Sequence, residues 1–234
     1  MSFDHKLAER FETALEKAGD RLVFPDISAV RPATPKGLEY FGGAHDTLNY
    51  LDVLEKLNRE EESVVSTLIQ GSRDYFSFFF GDFLQRPNVF LAEATVKEML
   101  SLSNYGSHEQ VDSARVEIAN SLLDHMVLIP REKIVSCPAT GVLDSFVPKL
   151  EGVANETDAE IFRTGIEYAV DQKEGGVEFW SRDWDFANLV DVYREIQEGD
   201  VTLPNAYRRM AYSEFGRNTK ERKGLKVTTE AVAA

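Results

Sequence analysis

Cysteine, histidine and positive charge are all scarce in this chain, and each shortage removes a class of chemistry. Cys137 is the single cysteine among 234 residues, so no internal disulfide can form, and a buried thiol is the expected state. The four histidines, His5, His45, His108 and His125, show no pairing at metal-ligand spacing, which argues against zinc. Lysine and arginine number 26 against 40 acids, a net charge of −14. That balance argues against a general electrostatic grip on nucleic acid, because phosphate binding is mostly cation contacts. No apolar run reaches the length of a membrane span, and no charged-then-apolar leader opens the sequence. The cytoplasm is the expected location, with no membrane partner.

What is present is enough apolar material for a core: 43% hydrophobic residues, 15 of the residues being phenylalanine. The length suits one domain with appendages. "MSFDHKLAERFETALEKAGD" puts Phe3, Leu7, Phe11 and Leu15 at helical spacing with Gly19 as stop. "RLVF" reads as a buried strand ending at Pro25-Asp26, and "RPATPKG" as a loop. Residues 45–86 read as two helices, the second carrying Phe76, Phe79, Phe80 and Phe83 on one face. That face suits a core, or a surface for an oligomer or partner. "NVFLAEATVKEML" reads as strand into helix, 107–126 as a helix, "VLIP" (127–130) as a strand and 138–152 as a short helix. A strong helix follows from Asn155 or Thr157 to Gly175-Gly176, then the strand "VEFWS" and the helix "DFANLVDVYREI". A last strand "VTLP" and a short helix from Tyr207 to Phe215 complete the pattern. Short apolar strands alternating with helices predict an α/β fold, a parallel sheet covered on both faces.

In such sheets, sites form at the carboxyl ends of strands, and acids gather there. Asp26 closes the first strand, and Asp183 closes "VEFW". Asp158 heads the apolar stripe of Phe162, Gly165 and Ala169; its other reading is a charge favoured by the helix N-terminus. Glu98, in "TVKEML", borders the arc of Thr95, Met99 and Leu102, with Glu93 as a competitor nearer the strand. Two bare anions about 4 Å apart repel by roughly 4 kcal/mol at an effective dielectric near 20. Such a cluster takes up protons or holds a cation. Oxygen ligands with open positions suit Mg²⁺ or Mn²⁺, and phosphate-ester hydrolysis is the chemistry this implies.

These stretches resemble the PIN-domain nucleases. "SRDWDF" resembles that family's fourth-acid motif and "ETDAEIFRTGIEYA" its third-acid helix. "ATVKEML" resembles the second-acid helix, and "VFPDIS" the first strand. Pro25 and Ile27 depart from the usual residues around the first acid, and the stretch 45–86 is long beside the compact toxin members. The resemblance implies a three-layer α/β/α sandwich with a central parallel sheet and a Mg²⁺- or Mn²⁺-dependent endoribonuclease. It makes Asp26, Glu98, Asp158 and Asp183 the catalytic and metal-ligating residues, with Asp185 an accessory acid and Ser28 a polar aid. The implied layout is an N-terminal helix (1–19), the nuclease domain (20–200, with a helical insertion at about 45–86) and a basic C-terminal extension (201–234).

RNA is then the expected substrate, with a homo-oligomer, an antitoxin or another protein as partner classes. An acidic pocket repels RNA, so cations at its rim must assist. Arg208, Arg209, Arg217, Lys220, Arg222 and Lys223 are the candidates, with Arg131 and Lys133; each also reads as an ordinary solvated charge. Trp184, between two site acids, suits stacking on a base or packing on the next helix. The competing reading is a PIN-like binding or assembly module with a weak metal site. A phosphatase with an aspartyl nucleophile would want an acid at position 28, where Ser28 stands.

Overall fold

A computed structural model describes residues 5–30, 62–103, 113–181, 183–198 and 203–210. The loop "RPATPKG", the first part of the expected insertion, and Arg217, Lys220, Arg222 and Lys223 lie outside the described residues.

The fold is mixed α/β, built on a small parallel sheet. Strand β1 (Leu22–Pro25) pairs in parallel with β4 (Gly176–Ser181), Leu22 facing Val177 and Pro25 facing Trp180. β4 pairs in parallel with β5 (Asn205–Met210). On the other side lie β2 (Leu91–Ala92) and β3 (Ile134–Val135), also parallel. A single bridge, Val23 to Val89, joins the two sets. Spatial order is therefore β3-β2-β1-β4-β5, and the direction of growth reverses between β1 and β4. That reversal is a topological switch point, where a crevice opens beyond the strands' carboxyl ends.

Proline in a central strand needs an explanation, because it has no N–H to give. The N–H of Val23 donates to Asn88 O, and its C=O accepts from Phe90 N. Asp26 N–H, three residues on, donates to Trp180 O at 2.9 Å. Alternation therefore turns Val23 and Pro25 toward β2, and Phe24 and Asp26 toward β4. The missing N–H ends the β1–β2 ladder while the β1–β4 ladder runs on through Asp26.

Strand alternation also divides the core. Val23 and Trp180 join one cluster, with Phe11, Ala14, Leu15 and Ala18 of α1 (His5–Ala18). The same cluster holds Phe76, Phe79, Phe80 and Phe83, from α3 (Glu62–Phe78) and the π-helical turn Phe79–Phe83 that continues it. Phe83 and Phe11 both pack on Trp180, with ring centroids 5.0 and 5.7 Å away. The phenylalanine face is therefore core of this chain, and the amino-terminal helix shares that core. Leu22, Phe24, Val177 and Phe179 face the other cluster, with Phe162 and Ile166 of α7 (Glu156–Asp171) and Phe186 and Leu189 of α8 (Asp185–Gln197). Helices thus cover both faces. A one-turn helix α2 (Ile27–Val30) follows β1, and α4 (Glu93–Ser103) follows β2. Helix α5 (Ser113–Met126) precedes β3, and α6 (Val147–Glu151) leads into α7.

Four sequence expectations are corrected. "VLIP" is not a strand: α5 runs to Met126, and Val127 and Leu128 are exposed turn residues. The strand forms instead at Ile134–Val135, where a partner is available in β2. The segment from Tyr207 is not helical up to Met210; it is β5, because pairing with β4 outweighs local preference over so short a run. The expected strand "VTLP" lies just ahead of it, and its described residues Leu203 and Pro204 are outside any strand. Helix α7 ends at Asp171, with the left-handed residue at Lys173 (φ 60°) rather than at Gly175, and Gly176 opens β4.

Candidate functional site

Each acid is delivered by a different joint of the fold. Asp26 follows β1 directly and is 1% exposed. Its Oδ2 accepts from Ser28 N (3.2 Å), Ser28 Oγ (2.5 Å) and Ser181 Oγ (2.9 Å). Its Oδ1 is buried with no hydrogen-bond partner among the described residues. Burial raises the carboxyl above its usual range, Asp183 adds to the rise, and the serine hydrogen bonds oppose it. Ser181, the last residue of β4, also accepts from Asp183 N at 2.9 Å. One hydroxyl thus ties the first and fourth acids together across the switch point.

Asp158 stands in the first turn of α7, which Asn155 caps: Asp158 N donates to Asn155 Oδ1 at 2.9 Å. Asn155 Nδ2 returns a hydrogen bond to Asp158 Oδ2 at 2.7 Å. The helix approaches β4 closely at Gly165, where a Cβ would lie 2.6 Å from Phe179 Cε1. Asp158 is 4% exposed, and its carboxyl is pushed up to about 8. Burial is the largest cause, followed by repulsion from Asp26, Asp183, Glu98 and Asp185. A helix N-terminus would by itself favour the charged form; burial, reinforced by the neighbouring acids, overrides it at Asp158.

Asp26, Asp183, Glu98 and Asp185 thus all bear on Asp158, and Ser181 links Asp26 to Asp183. Glu93, the competitor of Glu98, is engaged elsewhere: it accepts from Ser136 Oγ at 2.7 Å and pairs with Lys97, which hold its carboxyl below the usual range. Ser28 sits on Asp26 as expected. Two contributors were missed, Ser181 and Asn155. The leading serine of "SRDWDF" was the available signal for the first, and the cap position for the second.

The cations divide. Arg208 lies on β5, where its Nη2 donates to Asp183 O at 2.6 Å and its guanidinium stands 5.0 Å from the Trp184 ring centroid. Burial lowers its pKa to about 10, against the pull of Asp183 and Asp191. Arg209 takes the opposite side of the strand and pairs with buried Glu178, which also accepts from Trp180 Nε1 (2.9 Å) and Arg21. With its side chain 13% exposed, Arg209 is a structural partner of Glu178 here. Lys133 is buried against the carbonyls of Arg86 and Val89, and Arg131 is exposed.

Oxygen-only donors, an orphaned carboxylate oxygen on Asp26 and mutual repulsion among the acids fit a hard divalent cation. Among the described residues no three His, Cys, Asp or Glu side chains form a ready-made cage. No family model, curated protein or solved structure matches this chain.

Proposed function

We propose that this chain is a Mg²⁺- or Mn²⁺-dependent endoribonuclease with a three-layer, PIN-like fold. What supports the reading is that the buried Asp158 carboxyl is also repelled by Asp26, Asp183, Glu98 and Asp185, and that Ser181 Oγ donates to Asp26 and accepts from Asp183 N at the carboxyl edge of the sheet.

A bound Mg²⁺ or Mn²⁺ supplies a polarised phosphodiester, an activated water and charge balance at the leaving oxygen. The chain's own residues do the rest. Ser28 and Ser181 hold Asp26 Oδ2, which leaves Oδ1 without a hydrogen-bond partner among the described residues and available to a cation. Asn155 fixes the rotamer of Asp158. At neutral pH Asp158 keeps its proton, so cation binding must displace it, and affinity for the cation rises with pH up to about 8.

The test is cleavage of RNA in Mn²⁺ or Mg²⁺ against EDTA, with wild type and an Asp158→Asn plus Asp183→Asn double variant. Cleavage by wild type that EDTA abolishes and the double variant lacks is the expected result. Equal cleavage by the two proteins refutes the proposal.

A further inference from the structure

The rim of the acidic site carries a large, half-exposed aromatic. Trp184 lies between Asp183 and Asp185 and is 48% exposed, whereas Trp180, four residues earlier, is completely buried. Covering the open half of this indole with an apolar or aromatic surface would be favourable. The guanidinium of Arg208 stands over its ring, 5.0 Å from the centroid. Arg208 is itself positioned by the hydrogen bond to Asp183 O, and its Nε–H is buried with no partner among the described residues. The arginine thus steadies the indole from a part-buried position while about half of the tryptophan stays open to solvent.

We infer that Trp184, steadied by Arg208, is a stacking platform for one unpaired base of the RNA next to the acidic site. The inference rests on the nuclease reading and names its substrate class, single-stranded RNA. The physical need is plain: carboxylates repel the phosphate that must approach them, and stacking is an uncharged attraction that they do not oppose. A π-face accepts any base, so the platform selects for an unstacked nucleotide rather than for a sequence. A base inside a duplex has both faces covered and cannot use it.

The chain holds two tryptophans, one buried and one open, so intrinsic fluorescence reports on Trp184. The full chain in EDTA is titrated with a six-nucleotide single-stranded RNA and with a duplex of the same sequence. Quenching by the single strand but not by the duplex is expected. Trp184→Ala weakens single-strand binding about tenfold by anisotropy of the labelled RNA, the loss expected for one stacked base, and Trp184→Phe retains most of the affinity. In Mn²⁺, Trp184→Ala raises KM and leaves kcat within about twofold, the pattern of lost binding that is common to ground and transition states. Equal affinity of Trp184→Ala and wild type for the single strand, or equal quenching by duplex and single strand, overturns the inference while leaving the metal-dependent nuclease standing. Absence of both binding and cleavage in wild type overturns the nuclease reading, and this inference with it.

Discussion

Replacing Asp158 with asparagine should stabilise the metal-free protein, and by an amount that depends on pH. The carboxyl moves from its ordinary 3.8 to about 8 in the fold. At 1.36 kcal/mol per unit, a shift of that size corresponds to about 6 kcal/mol against the charged form. Part of it is repulsion that disappears when a neighbouring carboxylate takes the proton instead, so about 3 kcal/mol is the expected gain for one replacement. Below pH 3.8 the group is protonated in both states and contributes no difference. Between 3.8 and about 8 the folded protein holds a proton that the unfolded chain has released, so stability falls as pH rises and levels off above 8. Asparagine keeps the shape and an acceptor for Asn155 Nδ2 but does not titrate. Urea denaturation in EDTA from pH 5 to 9 measures the effect. The gap between Asp158→Asn and wild type should widen with pH, and Mn²⁺ at pH 8 should narrow it by stabilising wild type selectively. A gap that stays constant across the pH range would refute the account of a buried Asp158 carboxyl raised by its surroundings.

Gly165→Ala should destabilise the protein by about 1–3 kcal/mol through overpacking, although alanine is the better helix former. The new Cβ falls 2.6 and 2.7 Å from Phe179 Cε1 and Cζ, on a ring pinned against Phe162 at 4.5 Å; a raised Tm would contradict this packing. Glu178→Ala should cost about 3 kcal/mol, because it leaves Arg209 and Arg21 without their buried partner. A loss under about 1 kcal/mol in chemical denaturation would mean that Arg209 escapes to solvent and is free to meet phosphate.

The acidic residues were legible because charge at an otherwise apolar position is conspicuous. Asp158 stood out at the head of the Phe162–Gly165–Ala169 stripe, and Asp26 and Asp183 at the ends of apolar strands. Glu98 against Glu93 was not decidable from spacing. In the structure Ser136 and Lys97 engage Glu93, whereas Glu98 adds to the repulsion on Asp158. The fate of the arginines was hidden for a related reason. "AYRRM" over five residues carries no secure period, and pairing with β4 makes it a strand. Alternation then sends Arg208 to Asp183 and Trp184 and its neighbour Arg209 to Glu178. One residue of register separates a rim cation from a structural one.

By itself the sequence determined the α/β class, the run of helices and strands in outline, and which acids deserved suspicion. Those properties follow from local periodicity and from the cost of placing charge among apolar side chains. Only the tertiary structure decided the strand order β3-β2-β1-β4-β5 and the burial of the phenylalanine face. It alone decided the meeting of Asp26 and Asp183 through Ser181 and the separation of Arg208 from Arg209. These depend on contacts between segments distant in the sequence or on which face of a strand a neighbour covers, and no local pattern encodes either.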